Sequence, residues 1–304
     1  MTVIISCNII RVKVSPATMS NTEYEYILER GVNMKIYISA DIEGIGGVVD
    51  RSQLSHEGYD YTRARKLMTG EVNAAVRGAR KSGAQEILIN DSHGPMTNLL
   101  IEELEQEARL ITGNQKHLGM MQGIDQSFDA VILVGYHARH NTSGVLAHTY
   151  SGRVVSEICL NGKAVGEFEF NSLLAGYFNV PVVLVSGDDV LAGQVNTFNS
   201  EIETVVVKEA ISRYTANCLH PNKIHELIES SIERVLTNEQ NNIEPCRLDG
   251  PVEIEMAFMN SGMAENALLM PGVEMVSPNR VKYLAKDILE AYKVRAVLIT
   301  LGAK

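Results

Sequence analysis

Three short hydrophobic runs in the chain each end in side chains that can bind a metal ion. The runs are rich in Ile, Leu and Val and are followed by Gly or polar residues, a pattern that predicts buried parallel strands. The runs and the candidate ligands after them are residues 34–40 with Asp41 and Glu43, residues 86–90 with His93, and residues 130–135 with His137. Because the carboxyl ends of parallel strands meet at one edge of an open sheet, the sequence predicts a divalent-metal site at that edge.

Each of these side chains has a simpler explanation when it is taken alone. A carboxylate after a strand is often a helix cap or a solvated group, and a histidine in a loop often bonds to nearby backbone. The same arrangement occurs three times here, however, and this repetition favours the metal site. Asp41 and Glu43 are two residues apart, so their side chains are expected to point to the same face of an extended chain.

Strands and helices are predicted to alternate through the first two thirds of the chain. Apolar residues at spacings of three and four predict a helix over residues 61–82, and residues 98–107 are predicted to form a second helix. Asn161-Gly162 predicts the turn of a hairpin whose strands cover residues 154–160 and 163–168.

This alternation predicts an α/β fold class with two units. Residues 34–200 are expected to form a domain with a parallel sheet and right-handed crossovers. The pattern changes after residue 200, and residues 201–304 are expected to form a smaller α+β domain. The boundary is the least defined part of this prediction, and the two domains could be interleaved.

Two further side chains could reach the same edge of the sheet. His148 lies in a polar loop that follows the third run, where it could move protons or orient an attacking water. A loop histidine bonded to backbone is an equally good interpretation of His148. Glu167 is predicted to lie in the second strand of the hairpin, on the same face as Glu169, and either could reach the site.

Composition and charge limit the partners that the chain could have. The sequence has 27 basic and 37 acidic residues, a net charge of −10, which argues against nucleic acid and against anionic lipid as partners. No apolar stretch approaches the ~20 residues needed to span a bilayer. The four cysteines form no Cys-x-x-Cys pair, which predicts reduced thiols in a cytoplasmic protein. A small molecule or a peptide is therefore the expected substrate.

Other common motifs are missing from the sequence. The glycines at Gly44, Gly46 and Gly47 do not complete a dinucleotide-binding pattern, because Val49 occupies the third glycine position. The chain has no P-loop, no Gly-x-Ser-x-Gly elbow and no His-Glu-x-x-His motif. Metal-dependent chemistry is the function that the residues favour.

The motifs together resemble a known family, the zinc-dependent D-aminopeptidases of the DppA type. The resemblance extends from Met34 to the C-terminus. It rests on the segments 39–44, 90–93, 135–139, the loop around His148, 165–167, 185–189, 206–213 and 269–272. Residues 1–33 have no counterpart in the family, and we expect them to be an accessory extension, or to result from a start site assigned too early.

The resemblance implies a fold, a ligand set and an assembly. It implies a Rossmann-like three-layer domain beside a smaller α+β domain, and a homodecamer built from rings. It implies two zinc ions per subunit, with His148 as the catalytic residue. The ligands that it implies are Asp41, Glu43, His93, His137 and Glu167.

The resemblance also implies a reaction, the zinc-dependent removal of N-terminal D-amino acids of the D-alanyl type from short peptides. Two alternatives remain open from the sequence. The first is a metal-dependent amidase or L-aminopeptidase on the same scaffold. The second is a non-catalytic peptide-binding or metal-binding protein linked to transport.

Overall fold

The computed structural model describes residues 33–238 and 243–304. The predicted extension, residues 1–33, lies outside the described residues apart from Asn33. Among the described residues there are twelve β-strands and six α-helices, together with three short 3-10 helices.

The helices are α1 (Tyr61–Lys81), α2 (Glu167–Tyr177), α3 (Asp189–Phe198), α4 (Pro221–Thr237), α5 (Ser261–Ala267) and α6 (Ile288–Gly302). The strands are β1 (Met34–Ala40), β2 (Ala84–Asp91), β3 (Ala108–Ile111), β4 (Ala130–Val134), β5 (Val155–Leu160), β6 (Lys163–Val165), β7 (Val182–Asp188), β8 (Glu203–Ser212), β9 (Thr215–Cys218), β10 (Val252–Phe258), β11 (Glu274–Ser277) and β12 (Arg280–Ala285). The 3-10 helices are Arg51–Gln53, Ile101–Glu103 and Gly119–Met121.

The described strands form two sheets. The first has the order β3-β2-β1-β4-β7-β8-β9, and its strands are parallel except that β9 runs antiparallel to β8. The second has the order β11-β12-β10-β5-β6 and is antiparallel. The mixed α/β fold class expected from the sequence is therefore confirmed.

Both faces of the first sheet are covered, which gives three layers. Helices α1 and α4 pack together against one face, and α2 and α3 lie on the other, next to the second sheet and α6. Side chains alternate between these layers along each central strand. Ile36 and Ile38 of β1 belong to the core beneath α1 and α4, whereas Tyr37 belongs to the core on the opposite side.

The division between the two sheets does not fall at residue 200. Strands β8 and β9 and helix α4 come after residue 200 but belong to the first sheet and its helical layer. The hairpin β5-β6 comes before residue 200 but belongs to the second sheet, because β5 pairs with β10 in the register Ile254 to Leu160. The chain leaves the parallel sheet after β4 and returns to it at β7, so the two units are interleaved.

The helix predicted over residues 98–107 is wrong. The Asp91 carboxylate at the end of β2 accepts the backbone N–H groups of Asn98 and Leu99 at 2.6 and 2.7 Å. Arg65 of α1 donates to the carbonyl oxygen of Asn98 at 2.6 Å. These contacts hold the segment in an irregular path with one short 3-10 turn, because tertiary hydrogen bonds can override weak helical propensity.

Candidate metal centre

Strands β1 and β4 lie side by side at the place where the order of the first sheet reverses. From β1 the chain continues to β2 and β3 on one side, and from β4 it reaches β7 and β8 on the other. Such a switch point opens a crevice at the carboxyl ends of the strands. Asp41 follows β1, His93 follows β2 and His137 follows β4. The order of the strands is therefore enough to bring these three side chains to the crevice.

The structure brings the six candidate residues together in two groups of three. Within each group, the donor atoms lie within 4.8 Å of one another, a spacing that one metal ion could bridge. The first group is Asp41, Glu43 and His93, and the second is His137, His148 and Glu167.

His93 faces both carboxylates of the first group. Its Nδ1 atom lies 2.8 Å from Oε2 of Glu43 and 3.3 Å from Oδ1 of Asp41. Its other ring nitrogen, Nε2, lies 2.7 Å from the carbonyl oxygen of Leu54. Because a carbonyl oxygen only accepts, Nε2 carries a proton. Burial opposes the imidazolium form of His93, but the neighbouring carboxylates, Glu43 first, outweigh burial and raise its pKa well above the usual range, so Nδ1 also donates to them. A bound cation would take the place of this second proton.

The two histidines of the second group are held in the same way. Nδ1 of His137 donates to the carbonyl oxygen of Ala138 at 3.0 Å, and Nδ1 of His148 donates to that of Leu146 at 3.0 Å. Both Nε2 atoms face Glu167 Oε1, at 3.4 Å from His137 and 3.7 Å from His148. The two rings are stacked, with centroids 4.1 Å apart.

Asp41 lies between the two groups. Its Oδ1 atom faces His93, and its Oδ2 atom lies 3.5 Å from Nε2 of His137. The Asp41 side chain is buried, and its burial together with the neighbouring charge of Glu43 raises its pKa to about 7. A cation between the two groups would relieve this repulsion.

The same crowding of charged groups shifts the pKa values of His137 and His148. Burial opposes the imidazolium form of His137, but the neighbouring carboxylates, Glu167 first, outweigh burial and raise its pKa to about 10. Burial and the charge of His137 lower the pKa of His148. His148 is 17% exposed at its side chain, whereas Asp41, Glu43, His137 and Glu167 are almost fully buried, so His148 lies at the opening of the centre.

The donor set fits a divalent transition metal. Oε2 of Glu43 and Nε2 of His137 are buried, and among the described residues they face only charged groups of the centre itself, among them His93 and Glu167. Buried charged groups are costly unless they are paired or coordinate a metal. Imidazole nitrogens mixed with carboxylate oxygens are typical zinc ligands.

Glu167 lies in the centre, as expected, but the local structure predicted for it is wrong. The second strand of the hairpin ends at Val165, and Glu167 is the first residue of α2. Glu169 turns back to accept the backbone N–H of Gly166 at 2.8 Å, which caps the helix. Glu169 is therefore not part of either group of candidate ligands.

Two basic residues that the sequence reasoning did not assign hold the ligand loops. Lys208 of β8 is 1% exposed and donates to main-chain carbonyls of the loop that contains Glu43. Arg213 donates to the carbonyl oxygen of Ala147, and its own carbonyl accepts the N–H of Leu146 at 2.9 Å, which fixes the His148 loop. Neither residue lies in a local sequence pattern that distinguishes it from an ordinary surface base.

Comparison with known proteins identifies the scaffold. Residues 34–297 match the model of the M55 peptidase family, described as D-aminopeptidase. The chain belongs to this family. The D-aminopeptidase of Bacillus subtilis (strain 168) is 38% identical over 272 residues, which cover 89% of this chain and 98% of that protein.

A solved structure agrees with the fold. It is described as the Zn-dependent D-aminopeptidase DppA from Bacillus subtilis, a self-compartmentalizing protease. It matches with a TM-score of 0.87 and 38% sequence identity, over 89% of this chain and 98% of that chain. The family resemblance deduced from the sequence motifs is thus confirmed.

Proposed function

We propose that this protein is a zinc-dependent aminopeptidase that removes N-terminal D-amino acids, of the D-alanyl type, from short peptides. The observation that carries the proposal is the buried centre of three histidines and three carboxylates at the switch point of the sheet. The 38% identity to a D-aminopeptidase over most of both chains supports the choice of substrate. An L-specific or amidase activity on the same centre is the alternative that the first experiment must exclude.

The geometry supports a centre for two zinc ions. Asp41 would lie between them, because each of its oxygens faces a histidine of a different group. Glu43 and His93 would hold one ion, and His137 and Glu167 the other. When bound, zinc would activate a water molecule and polarise the scissile carbonyl.

His148 would carry the proton that the reaction transfers. Its Nδ1 is committed to the Leu146 carbonyl, which leaves Nε2 free to accept and return a proton near Glu43 Oε1 (3.8 Å) and Glu167 Oε1 (3.7 Å). Stacking on His137 fixes the plane of the ring. The partial exposure of His148 supports this role, because the other side chains of its group are almost fully buried.

The expected partners are peptides and other copies of the chain. The Bacillus subtilis enzyme is described as a self-compartmentalizing protease, which supports a homo-oligomer, and we propose a decamer. Large apolar side chains on and near the second sheet are exposed, among them Leu268, Leu269 and Leu284, as expected for a surface covered by another subunit.

A cytoplasmic location is the remaining part of the proposal. Cys159, Cys218 and Cys246 are free thiols, which is the usual state in a reducing compartment. No helix among the described residues is long and apolar enough to cross a membrane.

The proposal is tested by hydrolysis of D-alanine p-nitroanilide and of its L isomer. We expect zinc-loaded protein to cleave the D isomer alone and to lose this activity on chelation. The D41A variant is the matched control, and it should show neither bound zinc nor turnover. Preferential cleavage of the L isomer would support an L-aminopeptidase. Absence of turnover by folded, zinc-loaded protein would contradict the proposal that the protein is an aminopeptidase.

A further inference from the structure

Arg295 of α6 is a buried cation that the proposed reaction does not use. Its side chain is 5% exposed. The guanidinium carbon lies 3.7 Å from the centroid of the Tyr150 ring and 4.1 Å from that of the Tyr292 ring. Contacts of this kind between a guanidinium and aromatic faces hold the group in one orientation.

The charge of Arg295 is not balanced by a carboxylate. Its Nε atom donates to the Tyr292 carbonyl at 3.3 Å, and no carboxylate of residues 33–238 or 243–304 forms an ion pair with its guanidinium. Two other basic groups have more partners than Arg295. Lys208 has three carbonyl partners, and Arg280 pairs with Glu157 and Glu255. A buried charge without a counter-charge is unfavourable unless a ligand supplies one.

The guanidinium is linked to the candidate metal centre through Tyr150. Tyr150, which covers it, donates its backbone N–H to Oε1 of Glu167 at 2.5 Å. On another side, Nη2 of Arg295 lies against Gly119, where an added β-carbon would be only 3.6 Å away. Gly119 begins a turn whose Met120 carbonyl accepts the Ser39 hydroxyl at the end of β1. Arg295 is therefore enclosed by two segments that border the carboxyl edge of the sheet.

The loop around Tyr150 is partly accessible to solvent. Tyr150 is half-buried and His148 is partly exposed, although the residues between and before them in the loop, Thr149 and Ala147, are buried. Tyr150 therefore contacts the uncompensated guanidinium through its ring and the candidate ligand Glu167 through its backbone N–H, and Tyr150 is itself partly accessible.

We propose that Arg295 forms a carboxylate-binding subsite of the metal centre and selects substrates that carry a carboxylate close to the bond that is cleaved. This inference rests on the proposed function for the identity of the ligand as a peptide. In a dipeptide the terminal carboxylate is about one residue, or ~3.5 Å of chain, beyond the scissile amide. An acidic side chain would present the same group, and a guanidinium binds either through two parallel hydrogen bonds.

The subsite is tested by calorimetric binding of uncleavable peptides to zinc-loaded protein. The first probe is D-alanyl-D-alanine in which a CH2–NH group replaces the peptide bond, and the second is its C-terminal carboxamide. We expect the wild type to bind the carboxylate form at least ~10-fold more tightly, as for a charge-assisted pair. R295M should remove this preference, and R295K should retain only part of it, because an ammonium is not planar.

K293M is the matched control, since Lys293 is exposed on the same helix two residues earlier, and it should keep the wild-type preference. A second pair of probes, with D-Glu or D-Gln at the N-terminus and a carboxamide at the C-terminus, distinguishes the two sources of carboxylate. A preference for D-Glu that R295M removes would assign the subsite to an acidic side chain.

Equal binding of all probes by the wild type, or an unchanged preference in R295M and R295K, would overturn the proposal and leave Arg295 with a packing role only. Binding and hydrolysis remain separable in this design. Tight, Arg295-dependent binding with no hydrolysis of D-alanyl-D-alanine would contradict the proposed enzyme and keep the subsite. Hydrolysis without the Arg295-dependent preference would support the proposed enzyme and contradict the subsite.

Discussion

The ammonium nitrogen of Lys208 donates a hydrogen bond of 2.5 Å to the main-chain carbonyl of Glu43. It also donates to the carbonyls of Ile45 at 3.0 Å and Val48 at 2.6 Å. All three donor positions of the ammonium are thus used on one loop, directly after the first candidate ligands. Burial lowers the pKa of Lys208 to about 8, against the opposing charges of Asp188 and Glu71, so the side chain remains a cation at neutral pH.

The K208M substitution should weaken both the fold and the metal centre. It leaves three carbonyls of the ligand loop without a donor, at a cost of about 3–5 kcal/mol in the free energy of unfolding. Zinc affinity should fall by roughly 10–100-fold, because the loop that presents Glu43 is no longer fixed. Urea unfolding and competition with a zinc chelator measure the two effects. K223M, at an exposed lysine paired only with Glu226, should change stability by less than about 0.5 kcal/mol.

The G44A substitution should prevent the metal centre from forming. A β-carbon at Gly44 would lie 1.8 Å from the carbonyl oxygen of Tyr136 and 2.5 Å from the carbonyl carbon of Gly135. Both are backbone atoms beside His137, so neither can move without displacing a ligand. We expect insoluble protein, or folded protein that does not retain zinc. G193A is the control, because Gly193 lies in α3 with no atom near the added carbon, and it should be neutral or stabilising by up to about 1 kcal/mol.

The H148A substitution distinguishes a proton carrier from a ligand. If His148 carries the proton, the variant should hold as much zinc per chain as the wild type, while kcat falls by roughly 10²–10⁴. Zinc content by mass spectrometry and kcat with D-alanine p-nitroanilide measure the two quantities. Loss of zinc from H148A would instead make His148 the third ligand of its group with His137 and Glu167. Unchanged kcat would remove it from the mechanism.

Glu71 of α1 should make stability depend on pH. Its carboxylate is buried beneath the ligand loop and accepts the N–H of Gly46 at 2.8 Å. Burial raises its pKa from 4.5 to about 7. The folded protein therefore binds more protons than the unfolded chain between pH 4.5 and 7, and stability is lost as the pH rises through this window.

The E71Q variant measures this contribution, because an amide oxygen can still accept from Gly46 but does not ionise. Relative to E71Q, the wild type should lose about 3 kcal/mol of unfolding free energy between pH 4.5 and pH 8. Comparing both proteins at each pH cancels the titration of the metal ligands. A difference that is independent of pH would show that Glu71 titrates as an ordinary carboxyl group.

Local sequence patterns were sufficient to predict the strands that position the ligands. Strands β1, β2 and β4 depend on short apolar runs, and the side chain after each run is delivered to a common edge by the parallel topology. The predicted helix over residues 61–82 matches α1, since its apolar stripe packs against both the sheet and α4. These features could be deduced because each one is encoded within a few consecutive residues.

The features that escaped prediction depend on contacts between distant parts of the chain. The segment after β2 is not helical, because Asp91 and Arg65 compete for its backbone groups. The second sheet takes β5 and β6 from the middle of the chain, because β10 provides the pairing edge. The roles of Lys208 and Arg295 depend on neighbours more than a hundred residues away, and no local pattern contains that information.

The separation of 165 residues between Glu43 and Lys208 also sets an order of events during synthesis. The first two candidate ligands leave the ribosome early, but the cation that closes their loop is translated only after β7 and the first half of β8. Until then the nascent chain has an acidic segment without its internal counter-charge. We therefore expect the candidate centre to form late in folding, and tight zinc binding to require that the chain has grown past Lys208.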